Sequence, residues 1–237
     1  MRITIYATSQ ALFSILAISN RIHKDKVIFC VRGVISPLLA NIYLHAFDWA
    51  FHEDKDGPLK AANARLVRYA DDFVVMARHM GTRIKGWIEK KLEDDLGLEI
   101  NRDKTSIVRM EQSQTNLNFL GFTLSYHRDI NGQAHRYLNT FPSEKAVCRL
   151  RERIRELTSS GYKKPLAEVI EEVNLVLRGW GNYFGYGYPR KTFRDVNHFV
   201  QCRFRCFLRH RSQRRSKPFR EGETPYAGLK RYGLIYL

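Results

Sequence analysis

The chain contains 237 residues, 44% of them hydrophobic, which is enough for one domain or two small domains with a core. Its four cysteines make no disulfide framework, and no run reaches the roughly 18 apolar residues of a membrane span. These features exclude a disulfide-stapled secreted domain and a membrane protein, and they predict a cytoplasmic protein in a reducing compartment.

Basic residues are distributed unevenly along the chain, whose formal net charge is +16. Residues 1–140 contain 19 basic and 15 acidic side chains, whereas residues 141–237 contain 21 basic and 9 acidic ones. A strongly cationic surface attracts polyanions, so the C-terminal part is predicted to bind nucleic acid.

The N-terminal segment has a short apolar core, Ala11–Ile18, preceded by polar residues and Arg2. A core of this length without a clear small-x-small cleavage site is a poor signal peptide. Residues 1–32 are therefore interpreted as a non-secreted segment.

The first predicted helix starts within the segment GVISPLLAN, residues 33–41. Ser36 is suited to the N-cap and Pro37 to the first helical position. Apolar residues then recur at helical spacing, and the predicted buried face consists of Leu38, Leu39, Ile42, Tyr43, Phe47 and Ala50.

A predicted β-hairpin carries two adjacent carboxylates, Asp71 and Asp72, at its exposed tip. The flanking runs, Leu66–Tyr69 and Phe73–Met76, are rich in β-branched and aromatic residues that favour strands. Neighbouring carboxylates repel unless a cation neutralises them, and oxygen-only ligands favour Mg²⁺ or Mn²⁺. The alternative is a solvated Asp-Asp turn without a metal.

Downstream of the hairpin, Thr82 is predicted to cap a helix with Ile84, Trp87, Ile88 and Leu92 on its apolar face, ending near Gly97. Two short strands are expected next, Leu98–Ile100 and Asn118–Phe122. The predicted order is helix, hairpin, helix, strand, loop, strand.

Three helices are predicted in the C-terminal part. Ser143 caps the first, the second begins near Pro165 and leads to Trp180, and the third covers Phe193–His210. Along the third helix His198, Cys202, Cys206 and His210 are spaced by four residues. The two histidines would lie about 18 Å apart, so one zinc cannot bind all four, and the four are interpreted as buried structural residues.

Residues 190–220 contain eleven basic residues and one acidic residue, Asp195, interleaved with phenylalanines. Arginine binds phosphate and aromatic rings stack on unpaired bases, so this segment is predicted to bind structured RNA. The phenylalanines fall at helical spacing, which favours a core role for them. Trp180 and Phe184 are interpreted as packing residues, while Tyr183, Tyr186 and Tyr188 could either pack or stack on bases. The candidate RNA-binding residues are Arg178, Arg190, Lys191, Arg194, Arg203, Arg205, Arg209, Arg211, Arg214 and Arg215.

Taken together, the motifs resemble the group II intron-encoded reverse transcriptases with maturase function. GVISPLLAN resembles the template-contacting motif of that family, Tyr69-Ala70-Asp71-Asp72 its catalytic hairpin, and Gly97–Thr105 the next palm motif. Asn118–Phe122 resembles the primer-grip strand, and RGWGNYF (178–184) followed by TFR (192–194) resembles the maturase-specific region. The resemblance covers residues 33–237.

The resemblance implies an α+β fold, in which the C-terminal half of a reverse-transcriptase palm (33–140) precedes an α-helical thumb and maturase region (141–237). It implies RNA-directed DNA polymerase activity with Mg²⁺ or Mn²⁺ at Asp71 and Asp72, and intron RNA and a DNA primer or target as partners. Lys104 could approach the nucleotide phosphates, although an ordinary exposed lysine is equally compatible. The implied nucleotide and primer-template residues are Tyr69, Gly33, Ser36, Pro37, Lys104, Phe119 and Gly121.

One part of the family pattern is missing. Two-metal phosphoryl transfer needs carboxylates from more than one strand, but Asp25 is the only acidic residue before Asp48 and lies outside any family motif. Cys30-Val31-Arg32 replace the Pro-Gln-Gly of the family, so residues 1–32 are interpreted as unrelated to it and the protein as truncated. The expectation is a polymerase-defective chain that a separate N-terminal reverse-transcriptase fragment could complete. The alternatives are a non-enzymatic RNA-binding maturase and a degenerate fragment. The paired cysteines of the family's nuclease extension are absent from the sequence, so DNA cleavage is not predicted.

Overall fold

The computed structural model describes residues 4–8, 36–110, 115–128, 136–159, 161, 164–210, 219 and 222–237, with only the backbone described for 4–8 and Ser36. Four predicted site residues, Gly33, Arg211, Arg214 and Arg215, lie outside the described residues. The chain divides into two compact units, Met1–Leu117 and Asn118–Leu237. None of the helices in the described ranges has the length and apolar character needed to cross a membrane.

The N-terminal unit contains a four-stranded sheet and helices that cover it. Its elements in chain order are β1 (Thr4–Thr8), α1 (Ser36–Glu53), α2 (Pro58–Ala62), β2 (Arg65–Tyr69), β3 (Asp72–Ala77), α3 (Thr82–Glu89), a π-helical turn (Lys90–Asp95) and β4 (Thr105–Arg109). The strand order is β2-β3-β1-β4, and β1 pairs antiparallel with both β3 and β4. The sequence analysis did not predict β1, which is a central strand of this sheet.

The core of this unit lies between α1, α3 and one face of β3. Phe47 of α1 is fully buried, and its ring lies 5.5 Å from that of Phe73 and 6.1 Å from that of Trp87. The predicted helix at 36–53 is therefore present, but its predicted apolar face was partly wrong. Leu38, Leu39 and Ile42 are exposed, while Leu44 and Phe51 are buried in their place.

Two other predictions near α3 need correction. Gly81, not Thr82, occupies the N-cap position of α3, and no side chain caps that end. The predicted strand Leu98–Ile100 is not a strand, although Leu98 and Ile100 are both buried. Their alternation reflects packing of an irregular segment against the core, because both side chains belong to the buried cluster of this unit.

The second sheet has the order β5-β6-β7, formed by Asn116–Phe119, Phe122–Arg128 and Arg136–Pro142. The predicted single strand at 118–122 is in fact a reversal between β5 and β6. Leu120 and Gly121 both have positive φ angles, 49° and 81°, which a tight hairpin turn requires. A Cβ at position 121 would lie 3.3 Å from the Phe184 ring, so space as well as backbone angle favours glycine.

Four helices complete the C-terminal unit: α4 (Glu144–Leu157), α5 (Leu166–Phe184), α6 (Arg190–His210) and α7 (Pro225–Arg231). The predicted cap of α4 is confirmed, since Ser143 Oγ accepts a hydrogen bond from the Ala146 amide. The helix predicted at 193–210 begins earlier, at Arg190. The core that these helices share is formed by Leu150, Ile154, Leu157, Val169, Ile170, Val173, Leu177, Val196, Val200, Phe204, Phe207, Leu208, Leu229 and Leu234.

Two asparagine side chains fix the C-terminal tail to this core. Asn174 of α5 donates to the Gly233 carbonyl at 2.8 Å and accepts from the Ile235 amide at 3.0 Å. Asn197 of α6 donates to the Leu237 carbonyl and accepts from the Leu237 amide, both at 3.0 Å. Each side-chain amide therefore satisfies one N–H and one C=O of the tail backbone, as a neighbouring β-strand would.

Candidate catalytic hairpin and nucleic-acid interface

The predicted YADD hairpin is present. Strands β2 and β3 pair antiparallel from Arg65 opposite Met76 to Tyr69 opposite Asp72. Ala70 has a φ of 53°, a left-handed conformation that is uncommon for a residue with a Cβ. This conformation lets the chain reverse tightly, with Asp71 in the turn and Asp72 as the first residue of β3. Both carboxylates are half-buried.

Arg68 of β2 connects the strained turn to helix α1. Its Nε lies 2.9 and 3.0 Å from the two carboxylate oxygens of Asp48, and one terminal nitrogen lies 2.5 Å from Asp48 Oδ2. The other terminal nitrogen donates to Asn41 Oδ1 at 2.8 Å and to the Ala70 carbonyl at 2.7 Å. Arg68 therefore holds the backbone of the turn as well as an ion pair. We name these four residues, Asn41, Asp48, Arg68 and Ala70, the turn anchor.

Sequence reasoning missed the turn anchor. The available signal was an aspartate, Asp48, within an otherwise apolar helix and an arginine directly before the YADD motif. A charged side chain on a packed helix face is costly unless it has a partner, so Asp48 called for a cation that only the fold could identify.

The hairpin offers two carboxylates for a metal ion, and no third metal-ligating side chain lies beside them among the described residues. No group of three His, Cys, Asp or Glu side chains suited to a metal occurs within the described ranges. Asp48 is engaged by Arg68. Asp71 and Asp72 therefore fit one part of a two-metal site, and no metal-dependent step follows from these side chains.

The strand next to β3 is the position from which a further carboxylate could come. That strand is β1, and its last residue, Thr8, pairs with Phe73 of β3 and with Thr105 of β4. The C-terminal end of β1 thus adjoins the Asp72 end of β3. The strand sequence, TIYAT, contains no acidic residue.

The other residues implied to contact nucleotide or primer-template are dispersed. Tyr69 shares the hairpin with the two aspartates and is 65% exposed. Ser36 and Pro37 begin α1, and Lys104 is exposed before β4, where its amide is within 3.2 Å of Asn101 Oδ1. Phe119 ends β5 of the second sheet, and Gly121 lies in the turn between β5 and β6.

Helix α6 carries basic side chains on one side, in one group near its start and another near its end. Viewed down the axis, five exposed cations fall within an arc of about 100°, given 3.6 residues per turn. They extend over about 29 Å, given a rise of 1.5 Å per residue. None forms an ion pair with another described residue, and the opposite side of α6 is buried in the core. We name this set the α6 basic face; it consists of Arg190, Lys191, Arg194, Arg205 and Arg209.

Arg203 does not belong to this face. It is half-buried, donating from Nε to Thr158 Oγ1 at 3.2 Å and from a terminal nitrogen to the Thr158 carbonyl at 2.9 Å. Its guanidinium therefore binds the C-terminal end of α4, and this position supports a packing role. Arg178 is exposed on α5.

The interpretation of the histidine and cysteine residues of α6 as buried was wrong. His198, Cys206 and His210 are exposed, and Cys202 is partly exposed, with its Sγ 3.8 Å from His198 Nε2. They lie beside the α6 basic face because their four-residue spacing drifts only about 40° per step around the helix.

Two protein families match this chain. Residues 22–124 match the reverse transcriptase (RNA-dependent DNA polymerase) family, and residues 147–222 match the group II intron, maturase-specific domain. The first match contains the YADD hairpin, and the second contains the whole α6 basic face. The reverse transcriptase match begins at residue 22, whereas the motif resemblance started at Gly33.

Individual proteins are also similar to parts of the chain. Protein YkfC of Escherichia coli (strain K12) is 32% identical over an alignment 142 residues long, and the alignment covers 48% of this chain and 36% of YkfC. The chain thus spans little more than a third of that relative. A solved structure of telomerase from Candida albicans, in complex with a TWJ fragment of telomeric RNA, aligns with 78% of this chain and 29% of its own at 15% identity and a TM-score of 0.30.

Proposed function

We propose that this chain, which belongs to the family of group II intron reverse transcriptases and maturases, binds intron RNA through the α6 basic face and promotes splicing. The observation that carries this proposal is the alignment of five exposed cations along one side of α6, inside the maturase-specific match. In this assignment the N-terminal unit is part of a palm with Asp71 and Asp72 at its hairpin, and α4–α7 form the thumb and maturase region.

Electrostatics supports RNA as the ligand of this face. Five like charges along one helix repel one another, and a phosphate backbone relieves the repulsion while releasing condensed counterions. If each cation contacts one phosphate, log affinity should fall with log salt at a slope of about −3.5 to −4.5. Arginine, which supplies four of the five cations, also pairs bidentately with phosphate.

We further propose that the chain alone does not act as an RNA-directed DNA polymerase. Asp71 and Asp72 would hold Mg²⁺ or Mn²⁺, which would stabilise charge on the reacting phosphate, but two-metal transfer needs carboxylates from a second strand. The adjoining strand β1 has none. Polymerisation with a DNA primer or target would need a carboxylate from elsewhere, for example from an N-terminal reverse-transcriptase fragment.

A salt-dependent filter-binding titration tests the RNA-binding proposal. One variant replaces Arg190, Arg194, Arg205 and Arg209 by glutamine. Its matched control makes the same change at four exposed arginines of the N-terminal unit, Arg65, Arg78, Arg83 and Arg109. Both variants lose the same net charge, so a general charge effect would weaken them equally.

The α6 variant should bind intron RNA more weakly, with a salt slope shallower by about 3, since each phosphate contact contributes about 0.7 to 0.9. The control should keep a slope near that of the wild-type chain. Equal slopes for the two folded variants would remove α6 from the RNA site and refute the proposal.

A further inference from the structure

We propose that Tyr137, Tyr186 and Tyr188, with His127, form a second RNA contact that stacks on unpaired bases. We name these four residues the tyrosine patch. The proposal rests on the RNA-binding function proposed above and adds to it a site for a distinct chemical group, the nucleobase. The α6 basic face contacts phosphate, which is present in paired and unpaired RNA alike, whereas the patch would read only unpaired segments.

The tyrosine side chains of the patch are largely exposed to solvent. Tyr186 is 81% exposed, Tyr188 63% and Tyr137 37%, and all three lie in the C-terminal unit. The rings of Tyr137 and Tyr188 meet edge to face at 5.7 Å, and His127 lies 6.1 Å from Tyr137. Adjacent exposed aromatic rings of this kind mark interaction surfaces more often than isolated exposed apolar residues do.

The loop that presents Tyr186 and Tyr188 is held against strand β7. The Tyr188 amide donates to the Thr140 carbonyl at 3.2 Å. Gly187 between them has a φ of 78°, and a Cβ there would lie 2.2 Å from the same carbonyl oxygen. Only glycine permits this approach, so the rings are presented by a fixed backbone, which loses little conformational entropy on binding.

Tyr183, in the same aromatic segment, has a different role. Its hydroxyl donates to the Leu120 carbonyl at 3.1 Å, and its ring lies 5.4 Å from Phe122 and 4.7 Å from Phe184. These contacts fix the β5–β6 turn. The sequence left the three tyrosines undecided, and the structure separates Tyr183 from the other two.

Charge around the patch favours RNA over a protein partner. Arg190 and Lys191 follow Tyr188 within three residues and begin the α6 basic face. An aromatic surface next to a cluster of cations matches the combination by which single-stranded nucleic acids are bound, with bases on rings and phosphates on basic groups.

The test compares an RNA hairpin that has a single-stranded loop with a fully paired RNA of equal length. The variants are Tyr186→Ala alone, the double change Tyr186→Ala with Tyr188→Ala, and the corresponding phenylalanine pair. Tyr232→Ala is the control, because Tyr232 is 39% exposed but lies outside the patch. Tyr186→Ala keeps the test valid if the double variant fails to fold, since that side chain is almost fully solvated.

Loss of a stacked base should weaken binding of the looped RNA about tenfold per ring, with little change for the paired RNA. The salt slope should stay at the wild-type value, and the phenylalanine pair should bind like the wild type. A fluorescent adenine analogue in the loop should be quenched by the wild-type chain and not by the alanine variants. Equal affinities of Tyr186→Ala and wild type for the looped RNA, or equal losses on both RNAs, would overturn the inference.

The two proposals fail separately. Absence of salt-dependent RNA binding by the wild-type chain would refute the RNA-binding function and the patch together. Wild-type binding that depends on the α6 basic face but not on the patch would refute only the patch.

Discussion

Replacing Arg68 by methionine should destabilise the N-terminal unit by about 2 kcal/mol. Hydrogen bonds to charged groups contribute about 1.5 to 3 kcal/mol each net, and removing one partner of a fully buried ion pair costs about 3 to 5 kcal/mol. The side chains of Arg68 and Asp48 retain 13% and 25% exposure, so water solvates the orphaned carboxylate in part and lowers that cost. The Ala70 carbonyl also loses its donor, which leaves the left-handed turn less well supported.

Urea unfolding monitored by tryptophan fluorescence measures this loss. A Trp180→Phe background confines the signal to Trp49 and Trp87, which both lie in the N-terminal unit. Arg65→Met is the control, because Arg65 lies on the same strand and is exposed, so its change should stay within about 0.5 kcal/mol.

A double variant separates the ion pair from the packing of the arginine stem. Adding Asp48→Leu to Arg68→Met removes the orphaned charge and should restore part of the lost stability. A loss below about 0.5 kcal/mol for Arg68→Met, or simple additivity in the double variant, would show that the turn anchor does not act as one network.

Three further outcomes are expected. Asn174→Ala should cost about 2 to 3 kcal/mol in urea unfolding of the C-terminal unit, because it removes two hydrogen bonds from a side chain that is 7% exposed. Tyr6→Pro should unfold the N-terminal sheet, as judged by circular dichroism, because proline cannot donate within a central strand; a folded variant would contradict the position of β1. Purified chain should not extend a DNA primer on an RNA template with Mg²⁺, and extension abolished by Asp71→Ala would refute the incomplete site.

Alkaline titration belongs with these tests. Burial, and secondarily Tyr226, raises the pKa of Tyr236 from 10.0 to about 12. The folded state therefore favours the neutral phenol, and the stability linked to it is present below pH 10 and lost as the pH rises towards 12. Phenolate absorbance should contain a late-titrating component that disappears in Tyr236→Phe.

Local signals predicted much of the fold. The hairpin was predicted within one residue at each strand end, because β-branched runs on both sides of a two-residue turn are a short-range signal. The Ser143 cap and the helix it begins depend on residues three apart. The basic segment was likewise visible, since clustered charge requires no tertiary information.

Long-range contacts account for what the sequence did not reveal. Strand β1 pairs with residues more than sixty positions away, and a five-residue segment carries too little pattern to specify such partners. Asp48 and Arg68 are 20 residues apart, and Asn174 and Ile235 are 61 apart. Arg203 and Arg205 look equivalent in sequence, yet one packs on Thr158 and the other faces solvent. Only the helical phase against the core distinguishes them.

The position of β1 bears on how polymerase activity could be restored. The sequence analysis expected that a separate N-terminal fragment could complete the polymerase site, but the position next to β3 is already occupied by β1, which pairs with β3 and β4. A fragment that supplies a carboxylate beside Asp72 would have to displace β1 and replace both of its hydrogen-bonded ladders. RNA binding carries no such requirement, because the α6 basic face and the tyrosine patch belong to the other unit. Because displacing β1 is costly, we expect the chain to bind RNA while Asp71 and Asp72 receive no further carboxylate from the adjoining strand.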